Sequence, residues 1–273
     1  MDLGKKQVLT VVKIVDFGVY LGSEKEKVLL PKKQVPNGIE LGDPIEVFLY
    51  KDSSDRLIAT THEPKLTLGQ IAVLDVLQVG KFGAFLDWGL EKDLFLPFKE
   101  QTVKVKPGDE CLVALYIDKS ERLCATMKVY DYLRKDSEYQ KDDRVEGRIY
   151  ESSDNFGLFV AVDDKYSALI PKKEAPYGLR VGDKVHARVT EVKPDGKLTL
   201  SVREKAFIQM NKDAEVVLKR IQENGGSLSL NDKSDAEVIK VELGLSKNAF
   251  KRAVGHLYKA RKIEILEDGL KLK

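Results

Sequence analysis

Three short stretches set two aromatic rings around a glycine: "DFGVYL" at Asp16–Leu21, "KFGAFL" at Lys81–Leu86 and "NFGLFV" at Asn155–Val160. Such rings can do one kind of chemistry without a catalyst. They can stack on planar ligands such as nucleobases, each stack being worth about 1–3 kcal/mol with little dependence on sequence. In a regular strand, residues three apart point to opposite faces, so Phe82 and Phe85 would be split. A bulge or kink at Gly83 is expected to bring both rings to one surface.

Other chemistries find no support in residue types and spacing. His62, His186 and His256 are scattered and form no triad with a nucleophile and an acid. No metal-ligand constellation is evident, and there is no Gly-x-x-x-x-Gly-Lys loop to cradle phosphate. A binding protein without metal or cofactor is expected, not an enzyme.

The rings belong to a longer repeat. Phe17, Phe82 and Phe156 are 65 and 74 residues apart. After each aromatic hairpin an apolar pair runs into a proline, at Pro31, Pro97 and Pro171. A Gly-Asp turn then opens an apolar strand, at Gly42-Asp43, Gly108-Asp109 and Gly182-Asp183. A polar turn leads to a last strand, in "DRLIATT", "ERLCATM" and "GKLTLSV". Four features in one order, three times, mark three copies of one module. Each reads as five short strands with Gly, Pro and Asp turns, the size of a small closed Greek-key barrel, the OB-fold. Units this small are marginal alone, so neighbouring barrels are expected to touch. The expected boundaries are 1–62, 63–128 and 142–205, with 129–141 a linker that is either a short helix or extended. Trp88 is expected to pack at the end of its strand.

After Val202 the period becomes helical. Phe207, Met210, Ala214, Val217, Leu218 and Ile221 share one face, and Asn224-Gly225-Gly226 stops that helix. "SLSL" is a short strand. Ser234-Asp235-Ala236-Glu237 reads as a capping box for a second helix ending near Gly244, and Ser246 caps a third through about Arg261. "KIEILEDGLKLK" is a hairpin turning at Asp268-Gly269. This is the element order of a winged-helix domain, expected over 206–273. In its third helix Phe250, Ala253, Val254, Leu257 and Tyr258 form the apolar arc. Asn248, Lys251, Arg252 and Lys259 cluster opposite, where they can approach a nucleic-acid backbone or base edge. The expected fold class is therefore mainly β multidomain: three tandem five-stranded OB-fold barrels plus a C-terminal α/β winged-helix domain.

The net charge of the 273-residue chain is +2. Each barrel segment is neutral to within one charge and the tail carries +3. Affinity for a polyanion would have to come from local patches and stacking, not from a broadly basic surface. Cys111 and Cys124 stand in the two strands of one expected hairpin. A four-residue turn over Asp118–Glu121 would set Cys124 against Leu115, leaving both as buried free thiols. No apolar run approaches the roughly 18 residues of a membrane span, and Met1–Thr10 lacks the apolar core of a secretory signal. A cytoplasmic protein without membrane contact is expected.

The aromatic hairpin, apolar–proline corner, Gly-Asp turn and last-strand basic residue together resemble the S-one RNA-binding domain, over residues 1–62, 64–128 and 142–204. Three such barrels followed by a winged helix resemble the bacterial conserved virulence factor B family, whose members are cytoplasmic RNA-binding regulators. The resemblance implies that Phe17 and Tyr20, Phe82 and Phe85, and Phe156 and Phe159 are stacking aromatics. It implies likewise that Arg56, Arg122 and Lys197 in the last strands contact phosphate or base. The acidic residue four positions earlier matches Asp52 and Asp118, whereas the third repeat has Lys193 there. The third-strand histidine of the S-one domain is missing, its corner held by Pro31, Pro97 and Pro171. With Lys172 and Lys173 at the corner and Lys193 and Lys197 near the last turn, the third repeat is the most favourable by charge.

The expected function is multivalent binding of single-stranded or partly unpaired RNA, in post-transcriptional regulation, by a monomer. Two other classes stay open. One is a protein-interaction scaffold docking on the ribosome or RNA-processing proteins, favoured by the near-neutral barrels and the missing histidine. The other is a winged-helix DNA-binding regulator, which leaves the barrels unexplained.

Overall fold

The computed structural model describes residues 1–203 and 206–273, with side chains in the first helix from Met210 onward. Residues Met1–Val202 and Arg203–Lys273 form two compact units.

The first unit holds three closed barrels. Barrel 1 comprises β1 (Lys6–Val15), β2 (Gly18–Gly22), β3 (Lys27–Pro31), β4 (Pro44–Lys51) and β5 (Leu57–Thr60). Barrel 2 comprises β6 (Ile71–Val79), β7 (Gly83–Asp87), β8 (Leu94–Pro97), β9 (Glu110–Ile117) and β10 (Leu123–Thr126). Barrel 3 comprises β11 (Arg144–Ser153), β12 (Gly157–Val162), β13 (Tyr166–Pro171), β14 (Lys184–Val192) and β15 (Leu198–Ser201). Each closes through a parallel pairing of its third and fifth strands. The alternating apolar residues that suggested strands fill the interiors, such as Val11, Leu21, Leu30 and Leu49 in barrel 1 and Ile149, Val160, Ile170 and Leu200 in barrel 3. The aspartates of the Gly-Asp turns serve those turns: Asp43, Asp109 and Asp183 accept backbone N–H groups of Glu40, Lys106 and Arg180.

The bulge lies elsewhere than the sequence suggested. In all three barrels the first strand slips register, between Val11 and Lys13, Val76 and Gln78, and Ile149 and Glu151. It thus sits on the strand facing the aromatic hairpin, not at the hairpin's glycine. That glycine permits close approach instead. Gly18, Gly83 and Gly157 pair with Pro31, Pro97 and Pro171. A Cβ on Gly157 would stand 2.2 Å from the carbonyl oxygen of Ile170, at a backbone φ of +117°, so only glycine fits.

Barrels 1 and 2 share one apolar cluster. Phe48 and Tyr50 of β4 pack with Leu66, Leu74, Trp88 and Leu115. Trp88 is buried, edge-on to Phe48 at 5.8 Å and to Tyr50 at 6.3 Å, and its Nε1 donates to the Lys92 carbonyl at 2.5 Å. It packs as expected, but across the junction. Barrels 2 and 3 meet over Leu112, Ala114, Tyr150 and Ala161, with Val129 and Leu133 inserted between them. The buried Arg148 donates to Glu110 of barrel 2 at 3.2 Å and to Asp164 of barrel 3 at 3.1 Å.

The 129–141 segment resolves to one 3-10 turn, Tyr130–Tyr132, followed by non-helical chain. Val129 and Leu133 bury there, which gives this polar stretch a structural role that its composition does not advertise. The cysteine register also differs by one. Asp118 N–H donates to the Arg122 carbonyl and Glu121 adopts φ +54°, so the turn takes a fifth residue and Cys124 faces Tyr116, not Leu115. Both thiols are free and buried, and burial pushes each up to about 11.

The second unit is a winged helix: α1 (Ala206–Glu223), β16 (Ser227–Leu228), α2 (Ala236–Leu243), α3 (Lys247–Lys259), β17 (Ile263–Ile265) and β18 (Leu270–Leu272), with sheet order β16-β18-β17. Ala214, Val217 and Ile221 of α1 enter the core; the side chain of Phe207, on the same expected face, lies outside the described residues. The α2 cap is Asp235, whose carboxylate accepts the Glu237 N–H, while Ser234 bonds the Asn231 turn. Ser246 caps α3 as expected. That helix stops at Lys259, because Ala260 and the left-handed Arg261 turn the chain into the hairpin.

Candidate nucleic-acid interface

The first ring of each pair sits in the turn just before the second strand, and the second ring lies three residues on, within it. The turn holds the first ring out in solvent: Phe17 is 58% exposed, Phe82 72% and Phe156 63%. Tyr20, Phe85 and Phe159 are half-buried. Phe17 meets Tyr20, and Phe156 meets Phe159, edge-on with centroids 6.4 Å apart in both barrels. In barrel 2, Phe82 and Phe85 line one cleft, and Phe85 instead touches Phe95 at 5.4 Å. An ammonium accompanies the platforms of barrels 1 and 2: Lys27 lies over Tyr20 at 5.4 Å and Lys81 over Phe82 at 5.5 Å.

The last-strand arginines are positioned by the acids four residues earlier. Arg56 Nε and a terminal nitrogen donate to Asp52 at 3.0 and 2.7 Å, and Arg122 donates to Asp118 at 3.3 Å. The same carboxylates accept backbone N–H groups of their turns. Burial works against ionisation of Asp52 and Asp118, but these hydrogen bonds outweigh it and hold both carboxyls below the usual range. Arg56 and Arg122 stay largely exposed, so their remaining N–H groups face solvent.

Barrel 3 is arranged differently. Lys193 replaces the turn acid, and Lys197 pairs with Asp195 at 2.8 Å. Lys197 also lies over the ring of Tyr130 at 5.5 Å, and Tyr130 stands edge-on to Phe159 at 5.8 Å. Tyr130, Phe156, Phe159, Lys193 and Lys197 line one cleft of about 390 Å³. Sequence reading missed Tyr130 because it lies in the connector; the apolar Val129 and Leu133 flanking it in a polar stretch were the available signal. Lys172 and Lys173 are exposed on the turn after Pro171. The backbone N–H of Lys172 bonds the Phe156 carbonyl at 3.0 Å, but neither lysine lines the cleft.

In the winged helix, Phe250, Ala253, Val254 and Leu257 of α3 are buried, and Asn248, Lys251, Arg252 and Lys259 are exposed. Tyr258, expected at the edge of the apolar arc, is 56% exposed and joins the outer face. Among the described residues no three His, Cys, Asp or Glu side chains gather to hold a metal ion. None of their helices is long and apolar enough to cross a membrane.

These elements define a class: tandem S1-type OB-fold barrels joined to a winged helix. A model of the S1 domain matches residues 3–62 and 68–128. One described as the second domain of virulence regulatory factor CvfB matches 130–204, and one described as the CvfB-like winged helix domain matches 215–272. The chain is 30% identical over 272 residues to the uncharacterized protein YitL of Bacillus subtilis, covering 96% of this chain and 91% of that one. It is 29% identical over 236 residues to conserved virulence factor B of Staphylococcus aureus, covering 83% and 78%. A crystal structure from Streptococcus pneumoniae, described as a multidomain protein with nucleic acid binding domains, is 27% identical over 99% of this chain and 98% of that one, with a TM-score of 0.53. The chain belongs to the conserved virulence factor B family.

Proposed function

We propose that this chain is a multivalent RNA-binding protein that regulates transcripts in the cytoplasm after their synthesis. One observation carries the reading: each of three barrels holds a phenylalanine out in solvent beside a second, half-buried ring, with lysine or arginine at hand. Exposed apolar rings cost solubility, and a ligand that stacks on them explains their recurrence. Stacking needs unpaired bases, so the ligand is single-stranded or partly unpaired RNA. The streptococcal relative's description as a carrier of nucleic acid binding domains supports the same class.

The mechanism is binding, not bond-making. Bases stack on the platforms, the cations contact phosphates, and Lys251, Arg252 and Lys259 of α3 add a further basic face. Each site is modest, and linkage in one chain raises the effective concentration of the others.

Fluorescence anisotropy with a short unstructured RNA across a salt series tests this. A Phe17→Ala/Phe82→Ala/Phe156→Ala variant should bind more weakly with an unchanged salt slope. Lys251→Ala/Arg252→Ala should flatten the slope by about 0.7 per lost phosphate contact. Absence of wild-type binding tighter than roughly 10⁻⁴ M, or preference for double-stranded DNA, would overturn the proposal.

A further inference from the structure

The cleft beside Phe82 is built from two barrels. Its volume is about 440 Å³, within the range of small-molecule sites, ~300–1,000 Å³. Barrel 2 supplies the aromatic walls, with Phe82 open to solvent and Phe85 backed by Phe95. Phe95 is particular to this barrel. The residue paired with the second ring is Leu29 in barrel 1 and Leu169 in barrel 3. Among the described residues Phe82 makes no ring contact with Phe85, unlike the 6.4 Å pairs of the other barrels. The gap between the two walls stays open.

Barrel 1 supplies the far rim. Tyr50 and Lys51 end β4, and Asp55 stands in the following turn. Lys92 of barrel 2 is fixed across the junction, donating to the Asp52 carbonyl at 2.8 Å and lying 3.6 Å from Asp55. Four cations, Lys51, Lys81, Lys92 and Arg122, face two acids, Asp55 and Asp93, around an apolar floor. Lys92 and Arg122 are occupied by carboxylates, whereas no carboxylate pairs with Lys51 or Lys81 among the described residues.

We propose that this junction cleft is a nucleotide-binding site that neither barrel forms alone. An unstacked nucleobase enters between Phe82 and the Phe85–Phe95 pair, and Lys51 of barrel 1 and Lys81 of barrel 2 take its adjoining phosphate. The identity of the natural ligand, a base within an RNA chain, rests on the RNA-binding reading.

Trp88 lines the cleft and is the chain's single tryptophan, so its emission reports on this site. The full-length protein is titrated with labelled single-stranded RNA, reading label anisotropy and Trp88 emission on the same samples. A parallel titration uses adenosine 5′-monophosphate alone. The expected result is a saturable change in Trp88 emission. Phe82→Ala should weaken its midpoint about 5- to 150-fold, the loss of one stacked base. Lys51→Ala, though in the other barrel, should lower the salt slope of that midpoint by about 0.7. Both side chains are at least partly exposed, and thermal melts confirm that the variants fold. Response to the mononucleotide assigns the cleft to single nucleotides; response to RNA alone assigns it to a base held within a chain. If anisotropy rises while Trp88 is silent and both variants behave as wild type, the junction site is refuted and RNA binding stands. If anisotropy stays flat while the mononucleotide changes Trp88, the site stands and the RNA reading falls. Silence in both signals refutes both.

Discussion

Replacing Arg148 by methionine should loosen the junction of barrels 2 and 3. Its side chain is 6% exposed, and its guanidinium bonds one carboxylate from each side, Glu110 at 3.2 Å and Asp164 at 3.1 Å. Removing one partner of a fully buried ion pair costs about 3–5 kcal/mol, because the remaining charge stays dry. Here Glu110 is half exposed and Asp164 about one-third exposed, so both regain water once the guanidinium is gone. Lys184 stays 3.8 Å from Glu110, and the methionine stem keeps part of the packing. These discounts bring the expected loss to about 2 kcal/mol. The barrel unit spans residues 1–202, a size at which that loss lowers the melting temperature by roughly 4–8 °C. Urea and thermal unfolding of wild type, Arg148→Met and Arg148→Lys would measure it, with the lysine variant recovering about half, since it keeps the charge without the fork. Stability of Arg148→Met within about 0.5 kcal/mol of wild type, the usual scatter of neutral substitutions, would refute the reasoning. The apolar cluster of Leu112, Ala114, Val129, Leu133, Tyr150 and Ala161 would then suffice to hold the junction.

Other outcomes are equally open to measurement. Tyr130→Ala should weaken RNA binding about 5- to 150-fold in anisotropy, as expected for one lost stacking surface, with little change in melting temperature. Gly157→Ala forces a Cβ against the Ile170 carbonyl and Lys172 amide, and should cost at least about 1–3 kcal/mol by urea unfolding. Cys111 and Cys124, with thiols raised to about 11 by burial, should resist a thiol reagent at pH 8 in the native protein and react on unfolding. Asp52 and Asp118 have folded pKa values below their unfolded ones. Their stabilisation is therefore present above the unfolded value, near 4, and lost as pH falls through the folded value. Asp118→Asn should flatten the decline in stability measured by urea unfolding below about pH 5.

The barrels were legible because their landmarks are local: alternating apolar residues, a proline ending each third strand, and a Gly-Asp turn before each fourth. The wing and its helices were legible for the same reason, through Ser246 and Gly244, but the hairpin turns one residue before Asp268-Gly269: Ile265 pairs with Leu270 and the Leu266 N–H donates to the Gly269 carbonyl, which centres the turn on Glu267 and Asp268. What escaped depends on partners distant in sequence. The first-strand bulge is a property of two strands together, and nothing in "VVK" or "IYE" marks it. The extra residue in the Asp118–Arg122 turn rests on Glu121 entering left-handed space, which no glycine announces. The exposed first rings could be named from sequence, but Tyr130 could not be joined to them. Its place beside Phe159 follows from how Val129 and Leu133 wedge between two barrels.

The cluster shared by barrels 1 and 2 bears on how such a chain can change over generations. Phe48 is 1% exposed and Trp88 2%, and each is covered by the other's module. Recombination that deleted or transplanted either module by itself would bare a phenylalanine or a tryptophan to water. The junction of barrels 2 and 3 buries Leu112 and Tyr150 in the same way, so the unit that can be inherited, lost or swapped intact is the set of three barrels, whose members must accumulate compensating substitutions together.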